Sequence, residues 1–356
     1  MRAELGYSAS RNKGLSLVEI LISLSLGAFM LIGIISLIAS VSSTRQALTK
    51  TSEQIENGRY ALQLFAEDIA MAGFYGKYHP GVGVAEPTLP DPCANGSVLA
   101  DLGFNNSVTD PEIPVAVAGY ASGATLPSCI SDESAVVGSE VLVVHRVAPS
   151  PIDLSTSTLP PGNSIPYFQA SDCGTGATAF VFDKDPDNFT LQKKDCSTTA
   201  EVWPYQVRSY FIAPCEDCSG GGNGDGKPSL KVHEYLGGSV TTQALVSGVE
   251  DMHFSYGIDL NSDGGPDCYV DDPSADTAPA GCTTAGWSAV DAENWEDVVA
   301  VRVYLLVRGS EAAGSINNGK TFDMGRAGRV GPFTDGFKRQ VYSSVITIPN
   351  VAGVRE

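Results

Sequence analysis

The residues of this chain with types and spacings suited to chemistry are its cysteines and a set of alternating acids. The cysteines are Cys93, Cys129, Cys173, Cys196, Cys215, Cys218, Cys268 and Cys282. Cys215-Glu216-Asp217-Cys218 is a CxxC, a spacing that serves a redox dithiol, half of a zinc site or a short disulfide. A redox thiol needs a depressed pKa, and the two carboxylates between these cysteines push the other way. Zinc would have to draw on Cys268 and Cys282, and nothing else has ligand spacing. An even count of cysteines reads as a disulfide framework in an oxidising compartment. Many pairings are open. The neighbour scheme, Cys93–Cys129, Cys173–Cys196, Cys215–Cys218 and Cys268–Cys282, closes only local loops and would staple long ones.

Three loops place Asp or Asn at alternate positions: Asp183, Asp185 and Asp187; Asn223 and Asp225; and Asp259, Asn261 and Asp263. The last is followed by Gly264 and reads as the first half of a calcium loop. With Asp267 it is the candidate Ca²⁺ site. Its twelfth position is Val270 rather than Glu, Asp271 and Asp272 would have to supply oxygens from another geometry, and the same spacing is good turn chemistry. His79, His145, His233 and His253 are scattered, and His145 and His233 sit in strand-like runs. There is no HExxH, G-x-S-x-G or P-loop. The glycine run at 220–222 reads as a flexible loop. An enzyme is not expected, nor a cofactor beyond Ca²⁺.

The background of these residues is acidic and uneven. The 356 residues hold 22 Lys+Arg against 41 Asp+Glu, a formal charge of −19, which argues against nucleic acid as a partner. At 43% hydrophobic there is material for a core, and 38 Gly with 21 Pro favour a loop-rich, β-rich body. From Leu15 to Val41 the one charged residue is Glu19. A helix of that length spans roughly 40 Å, enough to cross a bilayer. Arg2, Arg11 and Lys13 precede it, which keeps the N-terminal segment cytoplasmic and exports the rest. A carboxylate within such a span is costly unless paired.

Lys13-Gly14-Leu15-Ser16-Leu17-Val18-Glu19 resembles the class III leader of type IV pilins and type II secretion pseudopilins. The resemblance implies that prepilin peptidase cuts between Gly14 and Leu15 and methylates the new N-terminus, where many major pilins have Phe. Glu19 becomes the fifth mature residue, the one that pairs with the free amine of a neighbouring subunit in a filament. Further stretches closely resemble the PilW group of minor pilins. They are Glu56–Leu62, Met71–Gly76, Leu245–Met252, Tyr256–Asp259, Val301–Arg308 and Arg339–Val345. The segment from about Pro80 to Trp203 resembles nothing comparable. This likeness implies a minor pilin that primes or caps a type IV pilus. Its expected partners are other minor pilins, the major pilin, a large tip adhesin, prepilin peptidase and the inner membrane. It implies a single-pass inner-membrane protein with a periplasmic head, then a place on the cell-surface pilus, with roles in adhesion and twitching motility. The alternative is the J-type pseudopilin of type II secretion.

The elements that must position these residues follow. Leu48, Ile55, Leu62 and Ile69 recur every seventh residue beside Phe65 and Ala72, which predicts that the helix continues to Ala72, capped by Gly73. Asn57-Gly58 inside it should weaken it, since Gly costs about 1 kcal/mol. Strands are expected at Glu140–Val147, Ala177–Phe182, Tyr205–Ile212, Leu230–Leu236, Val298–Val307 and Gln340–Ile348. The expected fold is α+β and type IV pilin-like: a long N-terminal α-helix packed on an antiparallel β-sheet head with long disulfide-stapled loops. Its parts are a leader at 1–14, a membrane or filament-core half-helix at 15–41, an amphipathic half at 42–72 and an exported domain at 73–356.

Overall fold

The computed structural model describes residues 14, 16–79, 89–94, 96, 98–109, 111–160, 165–174, 178–219, 224–283, 285–312 and 319–355. Residues 1–13, Leu15, the glycine run at 220–222 and Asn223 fall outside them. The chain divides into two units, Met1–Ser52 and Glu53–Glu356, and helix α1 (Leu17–Ala70) contributes to both.

In the first unit α1 carries its apolar side chains in the open: Leu17, Leu24, Phe29, Met30, Ile35 and Leu37 are all exposed. Its hydroxyls turn back onto the helix. Ser23 Oγ donates to the Glu19 carbonyl at 2.7 Å, Ser25 to Ile22 at 2.9 Å and Thr44 to Ser40 at 2.9 Å. An apolar medium can therefore surround these three hydroxyls without stranding them.

The second unit is an antiparallel head. Its elements are β1 (Val117–Tyr120), α2 (Ser128–Ser131), β2 (Val141–Val147), β3 (Tyr167–Ala170), β4 (Phe180–Asp183), β5 (Val202–Ala213), β6 (Ser229–Leu236), β7 (Ser239–Ser247) and β8 (Val249–Ile258). They are followed by β9 (Cys268–Val270), α3 (Asp291–Glu296), β10 (Val298–Ala312), β11 (Phe337–Thr347) and α4 (Pro349–Arg355). The strands form two sheets, where the sequence predicted one. The larger runs β1-β2-β5-β3-β4, with β6 pairing the later part of β5 and β7 pairing β6; the smaller runs β11-β10-β8-β9. The corner between them is Gly248. It takes φ 85°, and a Cβ there would lie 2.8 Å from the Arg308 carbonyl, so only glycine lets the chain leave β7 and enter β8.

Residues 53–70 of α1 bury Gln54, Gly58, Ala61, Phe65, Asp68 and Ile69. The buried line is thus one row away from the predicted seven-residue stripe: Ile55 and Leu62 are half-buried, and two polar residues and a glycine take the inner positions. Phe65 packs on Tyr210 of β5 at 4.9 Å and on Phe254 of β8 at 5.6 Å between ring centroids. Gly58, expected to weaken the helix, is where the Tyr342 ring of β11 lies; an added Cβ would come within 2.4 Å of it. Gly73 does take a left-handed φ of 69° after the helix ends, and its N–H donates to the His145 carbonyl at 2.9 Å.

The buried carboxylate of Asp68 fixes the helix on the larger sheet. Arg146 of β2 reaches it at 2.8 Å, and Arg208 and Tyr210 of β5 reach it at 3.2 and 2.8 Å. Removing one member of such a set leaves an uncompensated buried charge. Asp68→Ala should cost on the order of 3–5 kcal/mol in urea unfolding. The pair Asp68→Leu with Arg146→Met should lose clearly less than the single change. A wild-type midpoint for Asp68→Ala would refute this role.

Candidate functional site

Two regions carry the residues singled out above. The first is the apolar part of α1. Among the described residues it is the one helix long and apolar enough to cross a membrane, with a mean hydropathy of 2.5 over its best window. Glu19 lies in its first turn, where a carboxylate is favoured by the helix dipole. Its Oε2 accepts the Ser16 N–H at 3.4 Å. Gly14 is exposed, with nothing within 4 Å of the place its Cβ would take. Leu15 is outside the described residues, so the geometry of the predicted cleavage site is seen on one side only.

The second region is the meeting of β8, β10 and β11, where the C-terminal stretches come together. Arg339 of β11 is buried and forks onto Glu250 of β8, at 2.5 Å from Nε and 2.9 Å from Nη2. Arg308 of β10 stands 3.9 Å from the same carboxylate, and its N–H donates to the Gly248 carbonyl at 2.8 Å. Arg326 pairs with Asp251. The stretch Leu245–Met252 is therefore a corner and its counter-charges, held by Val301–Arg308 and Arg339–Val345. Asn57 of α1 donates to the Ser247 carbonyl at 3.0 Å, which brings the helix stretch Glu56–Leu62 to the same corner.

The cysteines pair as Cys93–Cys129, Cys173–Cys196, Cys215–Cys218 and Cys268–Cys282, with Cα separations of 5.1 to 5.5 Å. The candidate calcium residues do lie together, but their oxygens are engaged. Asp259 is fully buried and accepts the N–H groups of Asp263 and Gly264 at 3.2 and 3.0 Å. Asp267 accepts from Leu260 N and Asn261 Nδ2 at 2.8 and 3.2 Å. The Asn261 side-chain oxygen accepts from Asp263 N at 3.0 Å. The positive charge facing Asp259 is Arg355 of α4, at 3.7 Å, which also pairs with Asp297 at 2.7 Å. Burial raises the Asp297 carboxyl to about 6 against the pull of Arg355. Among the described residues no three His, Cys, Asp or Glu side chains are grouped to hold a metal ion. As placed, these residues do not fit a Ca²⁺ cage; they close a turn onto the chain's own arginine.

The histidines do not converge either. His79 is exposed. His145 bonds the Val115 carbonyl at 2.8 Å, and burial lowers its pKa to about 4. His233 meets Thr242 at 2.9 Å. His253 of β8 lies between Glu140 at 2.8 Å and Asp271 at 3.4 Å, over the Tyr304 ring, with Arg326 3.5 Å from Glu140. Burial alone would lower its pKa, but the Asp271 and Glu140 carboxylates outweigh that and raise it to about 9. The sequence reading missed Asp68, Glu140, Arg339 and Arg355. The available signal was a charge inside an apolar run, at Asp68 and Glu140.

Residues 210–350 match a family model described as Type IV Pilus-assembly protein W. Over this region, about two fifths of its length, the chain is similar to PilW-type type IV pilus proteins. The matched residues run from the middle of β5 to the start of α4 and include the corner at Gly248 with its arginines. The PilW match supports involvement in type IV pilus assembly, and the apolar α1 is consistent with anchoring in a membrane. No curated protein and no solved structure matches the chain.

The raised pKa of His253 has a sign. Between about pH 6.5 and about 9 the folded head keeps a proton that the unfolded chain releases, so this contribution is full below about 6.5 and lost as pH rises through 9. Urea midpoints should fall across that window, and His253→Gln should remove most of the fall. An unchanged midpoint for the wild-type protein would contradict the assignment.

Proposed function

We propose that this PilW-type chain is a minor pilin, an assembly protein rather than an enzyme. It is made as a prepilin, cut after Gly14 by prepilin peptidase and methylated at Leu15. It sits in the inner membrane through 15–41 with its head in the periplasm, then leaves the membrane for the cell-surface pilus. There it joins other minor pilins to prime or cap the filament above the major pilin and beneath a large tip adhesin, in support of adhesion and twitching motility. The observation that carries this reading is the exposed apolar face of α1 with Glu19 in its first turn, on a chain whose residues 210–350 match PilW.

The physical reason is the behaviour of the two surfaces. Exposed Leu, Ile and Phe side chains over more than twenty residues are stable only in lipid or against other helices. A carboxylate buried among such helices costs several kcal/mol, and an ammonium partner offsets most of that. Glu19 therefore favours the one stagger that brings it to a neighbour's free N-terminus. The head needs no such partner, because its own buried acids meet cations in the same chain.

Two experiments test this. Coexpression with prepilin peptidase should yield a chain whose intact mass begins at Leu15 and carries one methyl group. A mass that still includes Met1–Gly14 would remove the pilin reading. Glu19→Ala should leave membrane insertion intact and reduce incorporation into sheared pili about tenfold or more, the equivalent of at least 1.4 kcal/mol. Normal incorporation would refute the docking role. Rescue of a type II secretion defect, without any effect on pili, would instead favour the J-type pseudopilin.

A further inference from the structure

Lys231 of β6 is buried, and its ammonium lies 3.2 Å from the Sγ of Cys218. A buried ammonium aimed at a disulfide sulfur gains little from it, because that sulfur is a weak, neutral acceptor. The same ammonium would gain a full counter-ion if Cys218 were a thiolate. The carboxylates that argued against redox chemistry, Glu216 and Asp217, are exposed. The nearer of them, Asp217, accepts the Ser219 N–H at 2.9 Å, and that amide together with the Lys231 charge lowers its pKa. Asp225 likewise accepts from the Glu216 and Lys227 amides, at 3.0 and 3.2 Å. Cys215 is fully buried and Cys218 is half-exposed, so Cys218 is the more accessible residue of the pair.

We propose that Cys215–Cys218 is an exchangeable disulfide, a site that accepts two electrons from a dithiol and whose reduced form is held by the Lys231–Cys218 ion pair. A thiolate of the dithiol attacks the Cys218 sulfur; the Cys215–Cys218 bond breaks and Cys215 leaves, taking a proton to become a thiol. The second thiol of the reductant, as its thiolate, then attacks the sulfur of its own mixed disulfide and expels Cys218 as a thiolate beside Lys231. The dithiol ends as a disulfide, and its second proton goes to solvent. Stabilising the reduced form makes a disulfide more oxidising.

The head can tolerate this step. Cys215 and Cys218 are 3 residues apart, against 14, 23 and 36 for the other pairs, so opening this bond releases the least chain entropy. The backbone around it is held independently: Asp225 N donates to the Asp217 carbonyl at 3.1 Å, and β6 remains paired with β5 from Ser229 to Leu236. The partner is accordingly a dithiol, either a small molecule or a protein carrying its own CxxC.

The full chain in detergent, equilibrated over a series of reduced-to-oxidised dithiothreitol ratios and trapped by alkylation, tests this by peptide mass spectrometry. Cys215 and Cys218 should become alkylated at a ratio about tenfold or more below that of the other three pairs. Lys231→Met should shift that midpoint at least severalfold toward the others. Reduction of all four pairs together, or an unmoved midpoint in Lys231→Met, would overturn the proposal. A second measurement is independent of that variant. In the reduced wild-type chain, the rate of Cys218 alkylation should reach half its maximum well below the ordinary thiol pKa of about 8.5. Half-maximal alkylation at or above that value would equally overturn it.

Discussion

A buried negative charge has to be met from more than one side, and Asp68 is met from three. Arg146 on β2, and Arg208 and Tyr210 on β5, all reach its carboxylate, while Arg208 turns its Nε to Glu234 of β6 at 2.7 Å. The set is formally neutral, two acids against two arginines. Apolar contacts such as those of Phe65 would permit a helix to slide or roll by small steps at modest cost. A carboxylate at 3% exposure permits none, because any step away from the guanidinium groups leaves charge in a dry interior. The register of residues 53–70 on the larger sheet is therefore a polar decision within an apolar interface.

The smaller sheet and the Gly248 corner are joined to the same helix by side chains that bond main-chain carbonyls. Gln54 donates to the Val307 carbonyl at 2.6 Å, Asn57 donates to Ser247, and Tyr342 rests on the bare backbone of Gly58. Both sheets are thus read out along four turns of one helix: Gln54 to Gly58 for β10, β11 and the Gly248 corner, Ala61 to Asp68 for the strands around β5. This explains why stretches that resemble the PilW group lie far apart in sequence. Glu56–Leu62, Leu245–Met252, Val301–Arg308 and Arg339–Val345 are the sides of one junction, and Glu250 with Arg339 supplies its ion pair.

What was legible in the sequence is what local composition determines. The long helix, its end at Gly73 and the β-branched strands β2, β5, β6, β10 and β11 could be read because their apolar residues are dense and bounded by turn residues. The neighbouring cysteines were readable because they close local loops. The second sheet was not, because Ser247-Gly248 looks like an ordinary turn, and because β8 carries Glu250, Asp251 and His253, which look like surface residues. Their partners, Arg339, Arg326 and Glu140, are 75 to 113 residues away. Gly58 looked like a helix weakness for the same reason: the ring that requires it arrives from Tyr342. The acidic turn at Asp259 looked like a cation site, and a cation does face it, but that cation is Arg355 at the other end of the domain. Spacing showed oxygens gathered in one turn and could not show that Arg355 faces them.

This pattern separates Glu19 from the buried acids of the head. Among the described residues Asp68 pairs with Arg146, Glu140 with His253 and Asp259 with Arg355, and half-buried Glu250 pairs with Arg339. These four carboxylates have no electrostatic reason to bind a neighbour. Glu19 is different, since among the described residues its carboxylate meets the Ser16 amide and no cation. Exposed, that is inexpensive; transferred into an apolar assembly of helices, it is not. The remaining charge must then come from outside these residues, and a free α-amine at the start of a neighbouring helix is a cation of the right size at the right depth. In the proposed filament, the buried acids of the head are answered within the chain, and Glu19 is the carboxylate left for a neighbour to answer.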